Sequence, residues 1–435
     1  MKASSLLSVI FFLSFNTLIY NADPEGELKL VLAIFRHGDR APIGIYPKDD
    51  NGKDKWPLGL GQLTQKGHQD AYDLGKFFWT RYGKQLKLKQ VYKANSPELH
   101  IRSTSINRAK QSALYFLAGF YNLVIDKAEE LISPDHIPFT PESQDQLLSM
   151  TSCPKEEELR RNYLTTSKKF KKFNGNNDMK MLFQTISRMA GYRDDPVDMG
   201  KFGKIADAVY CELKHNMPQP DVIKQNLDIL MEWFNTSRRY YGPSTPEIIR
   251  IKTGPLVSKM VQSIENKVTD PDSRDKLFLY SAHDTNVISL LSGLGCFNDI
   301  QPPYSSAVIL ELRKVEAMYY IHVLYRNDSS VDPYPFSVPG CGDENKKCAL
   351  SDFKRAMNKV MMSVTEREKI CVPIIKSKAL SLSDNVIPIT IAVVLLVCLV
   401  LSIIMYRIYK RPRKPRGDPM MYRPLAYGDD DDEDV

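Results

Sequence analysis

Runs of apolar, β-favouring residues alternate with helical patterns along most of the chain. Residues 30–35 are continuously apolar, and residues 276–281 form a second strand candidate around the apolar residues 277–280, which is typical of strands buried on both faces of a parallel sheet. Residues 307–312 and 319–325 alternate in polarity and predict an antiparallel hairpin at the sheet edge. Helical patterns occupy residues 64–82, 103–120, 254–268 and 287–294. This order predicts an α/β fold, a three-layer α/β/α sandwich with a mainly parallel sheet.

A long segment of different character interrupts the α/β pattern. Residues 131–248 are charged, carry helical patterns and lack apolar strand runs. We therefore expect a mostly helical cap inserted between two segments of one α/β domain, residues 23–130 and 249–378. Such a cap would cover a site on the domain and take part in recognition, and a purely structural role is the alternative.

Two apolar stretches outside this domain predict targeting to a membrane. Lys2 and the short apolar stretch after it are typical of a signal peptide over residues 1–22, with an uncleaved anchor as the alternative. Residues 386–406 are 21 residues without a charge, long enough to cross a bilayer. Basic residues follow this stretch, so we expect a single-pass type I protein. Its stalk would lie at 379–385 and its cytosolic tail at 407–435.

The cysteines fit this topology. Six of them precede the predicted span, an even number that suits three disulfides in an oxidising compartment, although spacing alone cannot select the pairs. A zinc site is the competing interpretation, but the chain contains no CxxC or HExxH motif, so no metal is expected. The six are Cys153, Cys211, Cys296, Cys341, Cys348 and Cys371.

Short motifs predict modification and sorting. Asn235 and Asn327 begin N-x-S/T sequons on the predicted lumenal side. Tyr422 and Leu425 in the tail fit the tyrosine-x-x-apolar pattern that clathrin adaptors read, with an incidental match as the alternative. Endosomal or lysosomal residence would follow from this signal, and residence at the cell surface would follow without it.

The net charge of +7 does not point to a nucleic-acid partner. Nucleic-acid binding requires a clustered basic face or a stacking motif, and the sequence shows neither. A dispersed positive surface instead favours the approach of small anions.

Polar residues follow abruptly after three predicted strands. The first strand ends in Arg36-His37-Gly38-Asp39-Arg40, the next in Arg102, and a later one in His283-Asp284. Ligand sites of open α/β sheets lie at the carboxyl ends of the strands. Guanidinium groups match the oxygens of a phosphate or carboxylate, and neighbouring cations favour the neutral, nucleophilic form of His37. The sequence thus predicts an anion-binding site with a histidine nucleophile.

The string RHGDRAP at residues 36–42, IRST at 101–104 and the His-Asp pair at 283–284 resemble the histidine acid phosphatases, a branch of the histidine phosphatase superfamily. The resemblance implies that the nucleophile is His37 and the proton donor is Asp284. It implies that the phosphoryl oxygens are bound by Arg36, Arg40, Arg102 and His283. It also implies the disulfides Cys153–Cys371, Cys211–Cys296 and Cys341–Cys348.

A histidine acid phosphatase would hydrolyse small phosphomonoesters through a phosphohistidine, without a metal or other cofactor, and the family suggests a homodimer. An acidic optimum is expected, because Asp284 must be protonated to donate and the usual aspartate pKa is about 3.9. Two alternatives stay open. A phytase or inositol-polyphosphate phosphatase would show extra basic residues in the cap, whereas a non-catalytic surface receptor on a phosphatase fold would have lost a site residue.

Overall fold

The computed structural model of the protein describes residues 25–148, 153–192, 199–342, 346–371 and 386–410. The predicted signal peptide and stalk lie outside these residues, as do Tyr422 and Leu425 of the predicted sorting motif. The chain divides into two compact units, Met1–Pro373 and Ile374–Val435.

The described elements of the first unit alternate between strands and helices at both ends and are helical in the middle. The strands are β1 Glu27–Arg36, β2 Leu99–Ser103, β3 Leu277–Ala282, β4 Ala307–Val315, β5 Met318–Arg326, β6 Tyr334–Phe336 and β7 Cys348–Ala349. The helices are α1 Gln65–Tyr82, α2 Asn107–Phe120, α3 Ala128–Leu131, α4 Pro154–Thr166, α5 Lys168–Gly175, α6 Asn177–Met189, α7 Met199–Lys214, α8 Asp221–Gln225, α9 Leu227–Tyr241, α10 Pro246–Thr269, α11 Asp284–Gly293, α12 Leu350–Met357 and α13 Val364–Cys371.

The seven described strands form one sheet with the order β2-β3-β1-β4-β5-β6, and β7 pairs with β5. β1 and β2 run parallel to β3, whereas β4 lies antiparallel to β1 and β5 antiparallel to β4. The α/β class is therefore confirmed, but the expected mainly parallel sheet is wrong in this detail. The reason is that the β4–β5 hairpin joins the sheet through β1, which places the antiparallel strands next to its centre.

Alternate residues of β1 face two different hydrophobic cores. Val31, Ala33 and Phe35 pack against α1 and α2 on one face of the sheet. Leu30, Leu32 and Ile34 pack against α10, α11 and α12 on the other. Because both faces are covered, the strand contains no polar residue between Leu30 and Phe35, and polar residues resume at Arg36, where the strand ends.

The helices between the sheet segments have a core of their own. Apolar residues of α6, α7 and α9, among them Ile186, Phe202 and Trp233, pack together away from the sheet. These helices belong to the same compact unit as the sheet. The division of the chain into a cap at 131–248 and the flanking α/β segments stays a prediction.

Two disulfides hold distant and local parts of the chain. Cys153 at the start of α4 is bonded to Cys371 at the end of α13, 218 residues away in sequence, and Cys341 is bonded to Cys348. Both pairs match the implied pairing. The implied third pair is wrong, because Cys211 and Cys296 are free thiols. Cys211 lies on α7 between Arg40 and the Tyr304 hydroxyl, whereas Cys296 follows α11 and its thiol contacts backbone carbonyls.

The second unit contains the helix α14, Val386–Tyr409, whose side chains are described from residue 395 onward. Among the described residues, no helix is both long and apolar enough to cross a membrane. The expected span, residues 386–406, includes residues before 395 whose side chains are not described. The span therefore stays a prediction.

Candidate active site

The carboxyl ends of three parallel strands bring the polar residues together. Arg36 and Ala282 are register partners at the ends of β1 and β3, and the His37 amide donates to the Ala282 carbonyl at 3.0 Å. β2 ends on the other side of β3, where Ser103 pairs with Ser281. His37 and His283, the residues directly after β1 and β3, therefore lie side by side, with ring centroids 5.4 Å apart.

His37 has the protonation state that a nucleophile needs. Its side chain is buried, and Nδ1 lies 2.8 Å from the Gly38 carbonyl oxygen. Because a carbonyl only accepts hydrogen bonds, Nδ1 carries the proton and Nε2 presents a free electron pair. Burial and the positive charge of Arg36 hold the pKa of His37 well below its usual value. The imidazole therefore keeps its neutral form at a lower pH than an ordinary histidine does.

Arg36 is fixed from two sides. Its Nη1 donates to the Pro302 carbonyl at 2.6 Å, and its guanidinium lies over the Tyr304 ring, 4.0 Å from the centroid. Burial opposes the charge of Arg36, but the Asp284 carboxylate raises its pKa above the ordinary value. Arg36 Nε is buried and makes no hydrogen bond within the described part of the chain. The guanidinium thus keeps a donor for a ligand.

Arg40 forms a bidentate ion pair with a carboxylate from the helical segment. Its Nη1 and Nη2 donate to the two oxygens of Asp207 on α7, at 3.1 and 2.8 Å. Asp207 also accepts from the Ile43 backbone amide at 3.1 Å. Burial acts to raise the pKa of Asp207, but Arg40 outweighs it and holds that pKa below the ordinary value. The pair connects the loop after β1 to α7.

Arg102 does not join this group, which corrects its predicted role. Its Nη2 donates to Thr140 Oγ1 at 3.0 Å and to Asp145 Oδ1 at 2.6 Å. The guanidinium is therefore paired with the buried carboxylate of Asp145. The third arginine of the site is Arg108, on the first turn of α2. Burial and the charge of Arg40 lower the pKa of Arg108 to about 10, and its buried Nε has no partner among the described residues. An anion bound here would relieve that repulsion.

His283 is a second neutral imidazole. Its Nε2 lies 2.9 Å from Thr104 Oγ1, and its buried Nδ1 has no hydrogen-bond partner in the described residues. Burial and the charge of Arg108 lower the pKa of His283 to about 3. His283 can therefore contribute a hydrogen bond to a phosphoryl oxygen without adding a charge.

Asp284 is the first residue of α11, and its carboxylate lies close to several hydrogen-bond donors. Its Oδ1 accepts from the Thr285 amide at 2.8 Å, and its Oδ2 accepts from Gln301 Nε2 at 2.5 Å. Arg238 Nη2 and Arg36 Nη2 lie 3.6 and 3.9 Å from Oδ2. Although burial favours the neutral carboxyl, these arginines hold the pKa of Asp284 well below its usual value. Without a ligand, Asp284 is a carboxylate.

Two glycines let the loop after β1 meet the first turn of α1. A Cβ on Gly38 would come within 2.2 Å of the Gly67 carbonyl oxygen, and one on Gly67 within 2.0 Å of the Asp39 carbonyl oxygen. Thr64 caps α1 by accepting from the Gly67 amide at 3.1 Å, and its hydroxyl donates to Asp39. This backbone contact fixes the loop that carries His37 and Arg40.

The sequence interpretation missed four residues that the structure brings to the site. Arg108 lies in the segment from which Arg102 was chosen, since IRST is followed there by Asn107-Arg108, and its place in the first turn of a helix was a further signal. Asp207 and Arg238 belong to the helical segment, and Gln301 to the loop before β4. No local pattern distinguishes these three from surface residues, because their partners are far away in sequence.

The predicted sequons lie in different environments. Asn235 is half-buried on α9, and its Oδ1 accepts from the Gln301 backbone amide at 3.1 Å. Asn327 is also half-buried but directly follows β5, and the residues after it are exposed. In the described part of the chain, no group of three or more His, Cys, Asp or Glu side chains is placed to hold a metal ion.

Comparison with known proteins shows the family of this chain. Residues 27–326 match the model of the histidine phosphatase superfamily, branch 2. Prostatic acid phosphatase of Bos taurus is 32% identical over 361 residues, covering 81% of this chain and 90% of that protein. Lysosomal acid phosphatase of Xenopus laevis is 29% identical over 402 residues, covering 88% and 89%. The apo structure of Hafnia alvei phytase shares the fold, with a TM-score of 0.57 and 17% identity over 80% of this chain and all of that one.

Proposed function

Because this chain belongs to branch 2 of the histidine phosphatase superfamily, we propose that it is an acid phosphatase that hydrolyses small phosphomonoesters through a phosphohistidine. The observation that carries the proposal is the neutral, buried His37 with its free Nε2 among three arginines and a second histidine. A phosphomonoester dianion supplies the negative charge that this cluster of cations lacks.

In the first half of the reaction, His37 Nε2 attacks phosphorus opposite the leaving oxygen. The new P–N bond forms as the ester P–O bond breaks, and the leaving oxygen takes a proton from Asp284. Arg36, Arg40 and Arg108, with His283, would bind the non-bridging oxygens and stabilise their charge in the transition state. In the second half, Asp284 removes a proton from water, which attacks phosphorus and breaks the P–N bond to release inorganic phosphate.

The low pKa of Asp284 in the free enzyme is compatible with its role as an acid. The dianion would bind close to Arg36 and Arg40, two of the cations that depress this pKa. Its negative charge offsets theirs, so substrate binding raises the pKa of Asp284 toward the range in which it can hold a proton. Acidic solution favours that protonated state, while His37 stays unprotonated because its own pKa is low.

The activity is tested with the full-length protein and p-nitrophenyl phosphate, from acidic to neutral pH and with EDTA present. We expect hydrolysis with an acidic optimum in the wild type and none in His37→Ala. Quenching the reaction in base should trap an alkali-stable, acid-labile phosphoryl group on His37. A folded, disulfide-bonded wild type without activity would refute the proposal and favour the receptor alternative.

For the parts of the chain outside the α/β unit we propose a type I topology, with a cleaved signal peptide at 1–22 and a membrane span at 386–406. The proposal rests on the uncharged stretch and the basic residues after it. We further propose a glycan on Asn327, an adaptor signal at Tyr422 and Leu425, and lysosomal or endosomal residence. Asn235 is left out, because its amide group is engaged inside the fold.

These proposals are tested in cells. Alkaline extraction should leave the protein in the membrane pellet, and deletion of residues 386–406 should release it into the medium. Asn327→Gln should remove an endoglycosidase-sensitive mass shift, whereas Asn235→Gln should not. Tyr422→Ala should raise the amount at the cell surface. Release of the wild-type protein by alkali would overturn the membrane anchor.

A further inference from the structure

We propose that Arg238 and a small cavity beside it form a subsite for a second anionic group, a carboxylate or phosphate, on the leaving group of the substrate. The cavity has a volume of about 90 Å³ and lies between the end of α9, the second turn of α10 and the first turns of α11. Its polar lining includes Arg238, Lys252, Thr285 and Ser289. This inference rests on the proposed function and narrows its substrate class.

The position of the cavity connects it with the leaving group. Thr285 is the residue after Asp284, and Arg238 Nη2 lies 3.6 Å from Asp284 Oδ2. Asp284 protonates the oxygen to which the leaving group is attached. The part of a substrate next to that oxygen is therefore the part that can reach Arg238.

The side chains that line the cavity have free donors. Arg238 Nε and Thr285 Oγ1 are both buried and make no hydrogen bond within the described residues. Arg238 is positioned by stacking on the Phe234 ring, with Cζ 4.5 Å from the ring centroid. This contact uses the face of the guanidinium and leaves its N–H donors available to a ligand. Lys252 also lines the cavity, but its Nζ lies 3.1 Å from Glu156 Oε1, so its charge is already paired. The Arg238 guanidinium and the unpartnered Thr285 hydroxyl are therefore the groups that favour an anion.

The cavity has room for a compact charged group. Its volume is about 90 Å³, and a carboxylate or a phosphate fits this space. The preferred substrates are therefore short phosphorylated hydroxy acids or bisphosphates rather than esters of uncharged alcohols.

The test compares two substrates that differ by a single group. Glycerol 3-phosphate and 3-phosphoglycerate have the same number of carbons and the same type of scissile ester, but the second has an ionised carboxylate in place of an alcohol. The measured quantity is the ratio of kcat/KM for 3-phosphoglycerate to that for glycerol 3-phosphate, with the full-length protein at acidic pH. We expect this ratio to exceed one in the wild type.

Arg238→Gln should lower the ratio by about tenfold or more, the effect of losing a hydrogen bond to a charged group, mainly through a higher KM for 3-phosphoglycerate. Arg239→Gln is the matched control, because Arg239 is the next residue, is exposed and pairs with Asp299. This control should leave the ratio unchanged. Thr285→Val should lower the ratio in the same direction, which keeps the test decisive if Arg238→Gln does not fold.

An Arg238 that acted only on the pKa of Asp284 would affect both substrates alike, since both need the same proton. Equal losses for the two substrates in Arg238→Gln, or a wild-type ratio of one or less, would therefore overturn the subsite. If the wild type hydrolysed neither substrate nor p-nitrophenyl phosphate, the proposed function itself would have failed, which is a different result.

Discussion

Asp207→Asn is expected to lower the free energy of unfolding and to raise the KM for the substrate. Both oxygens of Asp207 accept from Arg40, and Oδ2 also accepts from the Ile43 amide. An asparagine keeps only one acceptor oxygen, so one Arg40 donor would face an NH₂ group. The charge of Arg40 would stay buried without its partner, and its guanidinium would no longer be held toward the phosphoryl oxygens.

The magnitude follows from the burial of the pair. Arg40 is 3% exposed, and removing one partner of a buried ion pair costs about 3–5 kcal/mol. The folded pKa of Asp207 lies below its value in the unfolded chain, about 3.9. The stabilisation by Asp207 is therefore complete above about pH 4 and is lost as the pH falls through the folded pKa. The stability difference between wild type and Asp207→Asn should shrink in strong acid.

The assay combines denaturant unfolding at several pH values with steady-state kinetics on p-nitrophenyl phosphate. We expect a higher KM, because Arg40 is less well positioned. The control is Asp221→Asn, which removes an exposed carboxylate paired with Lys224 and should change neither quantity. An Asp207→Asn protein with unchanged stability and a lower KM would refute the reasoning, since the carboxylate would then compete with the substrate rather than position Arg40.

Four further substitutions test the site and the loop that carries it. Asp284→Asn should reduce kcat by about 10²–10⁴-fold for alkyl phosphates and by less for p-nitrophenyl phosphate, whose leaving group needs little protonation. Arg108→Gln should raise KM and weaken inhibition by inorganic phosphate, whereas Arg102→Gln should lower the unfolding free energy and leave KM unchanged; the reverse pattern would restore the sequence-based assignment. Gly67→Ala should cost about 3 kcal/mol in denaturant unfolding, because its Cβ would overlap the backbone. Gly203→Ala, where a Cβ meets no atom within 4 Å, is the control and should not destabilise.

The sequence was informative where burial dictates composition. β1 and β3 were predicted because a strand covered on both faces must be apolar to its end, and the same rule placed His37 and His283 at one edge. The helical pattern from residue 64 was predicted for an equally local reason, and Thr64 caps α1 by accepting from the Gly67 amide.

The failures concern contacts between distant parts of the chain. Arg102 and Arg108 lie six positions apart, and only the pairing of Arg102 with Asp145 shows which guanidinium faces the site. Arg238 on α9 approaches Asp284 at the start of α11, and this contact leaves no trace in local spacing. The pairing of Cys211 failed similarly, since the thiol is turned toward Arg40 and Tyr304.

The Cys153–Cys371 bond has a consequence for proteolytic processing. A single cut anywhere between these cysteines leaves the two fragments covalently joined, so an internal nick cannot by itself shed half of the enzyme. Nicked chains should migrate at full size on a non-reducing gel and separate only after reduction. A protease that releases the intact catalytic unit from a membrane must instead cut after residue 371, which confines productive shedding to the short segment before the predicted span.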